Sequence, residues 1–166
     1  MRPSARELIE GVAWSLQEKV VPVTEDKWAA STLRSVRCLL EHLAQRVEVE
    51  GPLLFEDNLD ARGTLANARR HLLGAAHEGI HEWCDQVAAG LAAPWRQPGE
   101  YPGVASLTGE NDMLRELVDL GIRILHEAGA VTDSPRGQAR EELDGYVRRR
   151  LARDQPMFSP FMAGVF

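Results

Sequence analysis

Apolar residues recur every three or four positions along most of this chain, and this spacing limits what it can fold into. Leu8, Val12, Leu16 and Val20 follow one another at four-residue intervals, which places them on one side of an α-helix. No convincing stretch alternates apolar and polar residues as a half-buried strand does. Leu and Ala outnumber the β-branched residues, which favours helices further. The sequence therefore predicts an all-α protein.

End signals divide the pattern into about five helices, hence a helical bundle. Ser4 and Glu7 have the spacing of a capping box at the start of the first helix, and Pro22 is expected to end it. Thr24 is expected to cap the second helix, and Gly51-Pro52 to stop it. The buried face of the second helix is predicted to comprise Trp28, Thr32, Val36, Leu39, Leu40, Leu43 and Val47.

The third helix is predicted over residues 64–92 and the fourth over residues 110–128, with Gly129 as the residue that follows it. Ser134-Pro135 is the expected start of the fifth helix. Between the third and fourth helices, the Pro- and Gly-rich residues 94–109 predict a long loop. The C-terminal tail is apolar and is expected to fold back on the bundle or to cover a partner; its apolar residues are Met157, Phe158, Phe161, Met162, Val165 and Phe166.

Length and composition predict one globular domain over residues 1–166, since the chain is 44% hydrophobic and 27% charged. The formal net charge of −6 disfavours nucleic acid and an anionic membrane surface. No apolar run reaches the roughly 18 residues that span a bilayer, and no signal peptide is recognisable. We therefore expect a cytoplasmic protein in which Cys38 and Cys84 are reduced, small, buried side chains.

The one motif with metal-binding chemistry is His77-Glu78-Gly79-Ile80-His81, which reads H-E-x-x-H. On a helix, residues four positions apart share a face, so His77 and His81 can reach one ion while Glu78 serves as the catalytic acid or base. The predicted helix over residues 64–92 supplies that context. In this interpretation the cofactor is one divalent metal ion.

Several alternatives remain open for these histidines. A zinc peptidase is disfavoured by the short chain, the absence of a predicted sheet and the lack of a third ligand at the usual spacing. His42 on the second helix can complete a three-histidine site, which resembles the DinB-like metal-dependent bundles. A di-iron site needs a second E-x-x-H motif. Finally, His77 and His81 can simply be solvated residues beside the apolar stripe.

Arginines crowd the predicted fifth helix at Arg148, Arg149, Arg150 and Arg153. Cations are favoured near the C-terminal end of a helix, where the macrodipole is negative. The pattern is typical of a solvated basic face, and an arginine-lined anion site is the alternative.

The N-terminal third resembles a family of small bacterial helical proteins encoded beside, or fused to, kinases of the aminoglycoside-phosphotransferase type. The resemblance covers residues 2–50 and lies in Arg2, Pro3, Ala5, Glu7, Leu8, Glu10, Val12, Leu16, Val20 and Pro22, followed more loosely by Arg34 and Leu40. Some members accompany kinases of acyl-CoA pathways. The resemblance implies a non-catalytic accessory protein that binds a metabolic enzyme, with a protein partner or self-association. The alternative is a small metal-dependent enzyme built on His77, Glu78 and His81.

Overall fold

The computed structural model describes residues 3–92 and 102–162, with side chains up to position 155. Within these residues the chain forms five α-helices and no strand, which confirms the predicted all-α class. The helices are α1 (Ala5–Ser15), α2 (Lys27–Leu72), α3 (Glu78–Ala92), α4 (Val104–Glu127) and α5 (Pro135–Met162). None of these helices combines the length and the apolar character that crossing a membrane requires.

The chain divides into two compact units. Met1–Pro52 and Asp154–Phe166 make up the first unit, and Leu53–Arg153 makes up the second. The first unit contains α1, the N-terminal part of α2 and the C-terminal end of α5. The second contains the rest of α2, α3, α4 and most of α5. The division into two units does not decide how many domains the chain has, so one domain over residues 1–166 stays a prediction.

Helix α1 begins as its sequence predicts. The Glu7 backbone N–H donates to Ser4 Oγ at 3.2 Å, and the Ser4 N–H donates to Glu7 Oε2 at 2.7 Å, which completes the capping box. After Ser15 the backbone continues as a π-helical turn and then as a 3-10 turn, Val21–Val23, which contains Pro22. The helical backbone thus ends one residue after the proline.

The cap of α2 is Asp26, so the prediction of Thr24 in this role is wrong. Asp26 Oδ1 accepts hydrogen bonds from the N–H groups of Trp28 at 2.7 Å and Ala29 at 3.4 Å. The Thr24 hydroxyl instead donates to the Val20 carbonyl at 2.8 Å. A carboxylate at this position also interacts favourably with the positive end of the helix dipole.

Helix α2 runs through Gly51-Pro52, so the predicted stop at this dipeptide is wrong. A proline disfavours helix at the preceding residue partly by a clash with the Cβ atom of that residue. Gly51 has no Cβ atom, so this part of the penalty disappears. Residues 53–62, whose conformation the sequence left undecided, are therefore helical, and they carry the polar residues described below.

The predicted third helix over residues 64–92 is interrupted, because α2 ends at Leu72 and α3 begins at Glu78. Gly74 lies in the connecting turn with φ +89°, a conformation that glycine adopts without steric cost. Helix α4 begins at Val104, so residues 104–109 are helical and the predicted loop does not include them. Pro94 to Tyr101 of that loop lie outside the described residues, as do the side chains of the apolar tail.

The second unit has a well-packed apolar core on α2, α3, α4 and α5. Its largest fully buried side chains include Trp83, Leu65, Ile80, Leu114 and Leu143. The predicted ends of the last two helices are confirmed: Gly129 has φ +64° after α4, and Ser134 Oγ accepts the Gly137 N–H at 3.0 Å at the start of α5.

Helices α3 and α4 approach closely where a glycine meets a tryptophan. A Cβ atom on Gly121 would lie 2.7 Å from the Trp83 ring, which leaves room for hydrogen only. Trp83 Nε1 donates to the Leu117 carbonyl at 2.8 Å, so the buried indole has its polar group satisfied. This contact fixes the rotation of α3 against α4.

In the first unit, the predicted buried face of α2 is exposed to solvent at every position except Leu40, which is half-buried. Trp28 is 84% exposed, Leu39 61% and Leu43 49%, and Val36 and Val47 are also exposed. The residues that α2 buries against α1 lie on the adjacent side of the helix, with Ala44 the most buried at 3%. The apolar spacing is correct for a helix, but spacing alone does not decide which side of the helix is buried.

Candidate functional site

The predicted metal motif straddles the start of α3. His77 precedes the helix, and its carbonyl accepts the N–H groups of Ile80 and His81, each at 3.1 Å. His77, Glu78 and His81 are exposed. The expectation that the whole motif lies within a helix is therefore wrong, because the chain breaks between Leu72 and Glu78 at the Gly74 turn.

His42 lies on α2 in the first unit, whereas His77 and His81 belong to the second. Among residues 3–92 and 102–162, no three His, Cys, Asp or Glu side chains form a group that could hold a metal ion. The ligand set His42, His77 and His81, with Glu78 as a catalytic group, stays a prediction without geometric support in the described residues.

The most densely connected polar cluster lies in the second unit and centres on Asp57 of α2. Asp57 Oδ2 accepts hydrogen bonds from Asn111 Nδ2 of α4 at 2.7 Å and from the Tyr146 hydroxyl of α5 at 2.9 Å. Arg153 Nη2 donates to the other oxygen, Oδ1, at 2.6 Å. Asp57 is 7% exposed and Tyr146 1%, so one buried carboxylate joins three helices.

A second carboxylate extends this cluster towards solvent. Asp60 accepts hydrogen bonds from Arg149 at 2.7 Å and from Arg153 at 2.7 Å. Burial by itself raises the pKa of Asp60, but the hydrogen bonds and positive charges of the two arginines outweigh it and hold the pKa below its usual value. The other two arginines of the predicted solvated face also have carboxylate partners, since Arg148 Nη2 lies 2.5 Å from Glu141 and Arg150 Nε lies 4.0 Å from Asp57.

Two asparagines complete the contact of α2 with α4. Asn58 Nδ2 donates to the Leu107 carbonyl at 3.0 Å and to Glu110 Oε2 at 3.1 Å. Asn58 Oδ1 accepts from Asn111 Nδ2 at 2.8 Å. The Glu110 carboxylate also accepts from Arg62 Nε at 2.6 Å. Buried polar groups satisfied in this way position helices in one register.

The chemistry of this cluster is structural. The carboxylate oxygens of Asp57 are already hydrogen-bonded to protein groups. Burial, followed by the charge of Asp57, raises the pKa of Tyr146, which keeps its hydroxyl protonated as a donor.

Desolvation likewise raises the pKa of the buried Cys84 thiol, which argues against a nucleophilic role. Cys38 is exposed, so the prediction that it is buried is wrong.

The pattern of apolar residues does not reveal this cluster. Asp57, Asn58 and Asn111 are polar residues at core positions, which an analysis of apolar periodicity assigns to the surface. The one available signal was the group of arginines on the predicted fifth helix, because such a group pairs with acidic residues from another part of the chain. Which acidic residues they bind cannot be read from a single sequence.

Two clefts of the second unit have linings that do not include the motif. A cleft of about 350 Å³ is lined by residues that include His71, Gly74, Val131 and Arg136. An open groove of about 600 Å³ is lined by residues that include His71, Glu141 and Arg148. Neither lining contains His77, Glu78 or His81, so these clefts give the motif no enclosed space for a substrate.

The most distinctive surface is on the first unit, where apolar side chains of α1 and α2 face solvent. We define the apolar face as Trp28, Val36, Leu39, Leu43 and Val47, which recur on one side of α2. Their exposed fractions range from 37% at Val36 to 84% at Trp28. Contiguous apolar surface of this kind marks protein–protein contact sites.

In comparisons with protein-family models, with curated proteins and with solved structures, nothing matches this chain.

Proposed function

We propose that this chain is a non-catalytic accessory protein that binds a metabolic enzyme through the apolar face of its first unit. The observation that carries the proposal is the exposure of Trp28, Leu39 and Leu43 on one side of α2. A tryptophan with leucines about three and four turns away on the same side of a helix is the kind of anchor that dominates binding energy at protein interfaces.

The resemblance of residues 2–50 to companions of kinases supports this choice of partner. That segment coincides with the N-terminal part of the first unit, Met1–Pro52, which carries the whole apolar face. The candidate partner is therefore a kinase of the aminoglycoside-phosphotransferase type, including those of acyl-CoA pathways. The closed polar cluster of the second unit supports a scaffold role for that part of the chain.

Calorimetric titration of the kinase encoded nearest to this chain's gene tests the proposal. We expect saturable binding by the wild-type chain and binding weakened at least about tenfold by Leu39→Ser with Leu43→Ser, because each leucine loses apolar contact. Leu151→Ser is the matched control, since Leu151 is 66% exposed on α5 of the second unit.

Two outcomes count against the proposal. One is the absence of heat and of complex formation with that kinase at concentrations near 100 µM, a weak limit for a functional complex. The other is equal loss of binding in the Leu151→Ser control, which would place the contact outside the first unit. A circular dichroism spectrum for each variant shows whether the helices are retained.

A further inference from the structure

The last stretch of α5 within the second unit is attached to α2 without buried apolar side chains. Tyr146 is 1% exposed, and Val147 packs against the core beside it. From position 148 to position 153 no side chain is buried, and Leu151 is 66% exposed. Apolar burial, the dominant favourable contribution to folding, therefore does little to hold residues 148–153 in place.

Two arginines of this stretch bind two aspartates of α2. Arg149 donates to both carboxylate oxygens of Asp60, from Nη2 at 2.7 Å and from Nε at 3.0 Å. Arg153 donates to Asp60 Oδ2 at 2.7 Å and to Asp57 Oδ1 at 2.6 Å, so it bridges the two aspartates. We name these four residues the ionic clasp.

The ionic clasp joins the two ends of the second unit. That unit begins at Leu53 and ends at Arg153. Asp57 lies about one helical turn after the first residue of the unit, and Arg153 is its last residue. Because Arg153 binds Asp57, charged side chains and not packed apolar ones hold these two ends together.

Ion pairs of this kind hold a helix end only weakly. The Arg149 side chain is 49% exposed, so water competes for its guanidinium. When the charges separate they regain their hydration, which offsets much of the attraction between them. The rest of α5 retains its fully buried side chains, which include Leu143 and Tyr146. Detaching residues 148–153 therefore costs less free energy than unfolding the core.

We propose that the ionic clasp opens as a local step, in which residues 148–153 of α5 separate from α2 while the core of the second unit stays folded. Opening parts the two ends of the unit. Dissolved salt screens the attraction between the arginines and the aspartates, so it favours the open arrangement. The ionic clasp is thus a switch that responds to ionic strength. It lies in the second unit, whereas the proposed enzyme contact lies in the first, so either can fail without the other.

Amide hydrogen exchange of the full chain, measured residue by residue by NMR, tests the proposal. We expect the amides of residues 149–153 to exchange at least about tenfold faster than those of Leu143 and Leu114 in the core. Local opening exposes little surface, so exchange at residues 149–153 should hardly change with urea below about 1 M. Exchange of the core amides should rise steeply over the same range.

A salt series on the wild-type chain is the second measurement. From about 0.1 to 1 M NaCl the Debye length falls from about 10 Å to about 3 Å. We expect exchange at residues 149–153 to accelerate at least about threefold, without a comparable change at Leu143. The salt series depends on no substitution, so it remains informative if a variant does not fold.

A matched pair of variants assigns the effect to the ionic clasp. Asp60→Asn removes the charge that both arginines share, and it is expected to accelerate exchange at residues 149–153 at least about fivefold. Asp144→Asn is the control, because Asp144 pairs with Arg140 at 2.9 Å within α5 and outside the ionic clasp. This control should leave exchange at residues 149–153 unchanged.

Three results would overturn the inference. Exchange at residues 149–153 with the same urea dependence as the core amides means that the helix end opens only when the whole unit unfolds. Exchange that is insensitive to salt means that charge does not hold this stretch to α2. An effect of Asp60→Asn no larger than that of Asp144→Asn means that Asp60 is not part of the contact that opens.

Discussion

The Tyr146 hydroxyl donates a hydrogen bond of 2.9 Å to Asp57 Oδ2, joining residues that are 89 positions apart in the sequence. The same carboxylate accepts from Asn111 and Arg153. Because the site is buried, these donors depend on Asp57 for their hydrogen bonds and charge balance. The contact therefore ties the stability of the second unit to one side chain.

Removing Asp57 is expected to destabilise the protein strongly. Asp57→Ala leaves the Arg153 guanidinium without one of its carboxylates and leaves Tyr146 and Asn111 without an acceptor, which costs about 3–5 kcal/mol of unfolding free energy. Urea denaturation followed by circular dichroism measures the change. Tyr146→Phe is the milder control at about 1 kcal/mol, and equal, small effects of both variants would contradict a shared network.

Asp60 gives the stability of the protein a defined dependence on pH. Arg149 and Arg153 hold the pKa of Asp60 below the ordinary value of 3.8, so its folded-state pKa is lower than its unfolded-state pKa. Its contribution to stability is therefore complete above the unfolded pKa and is lost as the pH falls through the folded pKa. Asp60→Asn should lower the free energy of unfolding at pH 7 and bring it closer to the wild-type value below pH 4.

Denaturant titrations of both proteins at pH 7, 5, 4 and 3 measure this dependence. The difference between the wild type and Asp60→Asn is expected to stay constant from pH 7 to pH 5 and to shrink below pH 4. A difference that grows on acidification would contradict the assigned sign.

Gly121 should not tolerate a methyl group. Gly121→Ala places a Cβ atom 2.7 Å from the ring of Trp83, whose indole is buried and hydrogen-bonded, so we expect a loss of about 1–3 kcal/mol. Gly109 is the matched control, since it lies on the same helix and an added Cβ atom meets nothing within 4 Å. Gly109→Ala should be neutral or stabilising, and thermal unfolding of the two variants distinguishes them.

The sequence predicted the helical conformation of this chain better than it predicted which side chains the helices bury. Ser4 with Glu7, Gly129 and Ser134 are local signals, and each ends or begins a helix as expected. Asp57, Asn58 and Asn111 were not predictable, because a polar residue becomes buried only when distant donors satisfy it. The stripe from Trp28 to Val47 was recognised as apolar, but its exposure was not predictable, because exposure depends on which elements pack beside α2.

The metal-binding alternative is also testable. His77 precedes α3 and the three histidines form no cluster in the described residues, so we expect the purified chain to contain less than stoichiometric zinc, iron or nickel. Elemental analysis of the wild type and of His77→Ala with His81→Ala measures the content. Stoichiometric metal that disappears in the double variant would instead support the small metal-dependent enzyme.

Thiol labelling of position 39 tests most directly whether the apolar face is a protein-binding surface. Leu39→Cys in a Cys38→Ser background places a thiol within the face, while Cys38 of the wild type is an exposed thiol outside it. In the free chain we expect the thiol at position 39 to react fast. It should be protected at least about tenfold by the candidate kinase, while Cys38 stays reactive. Rapid labelling of position 39 under all these conditions would contradict the account.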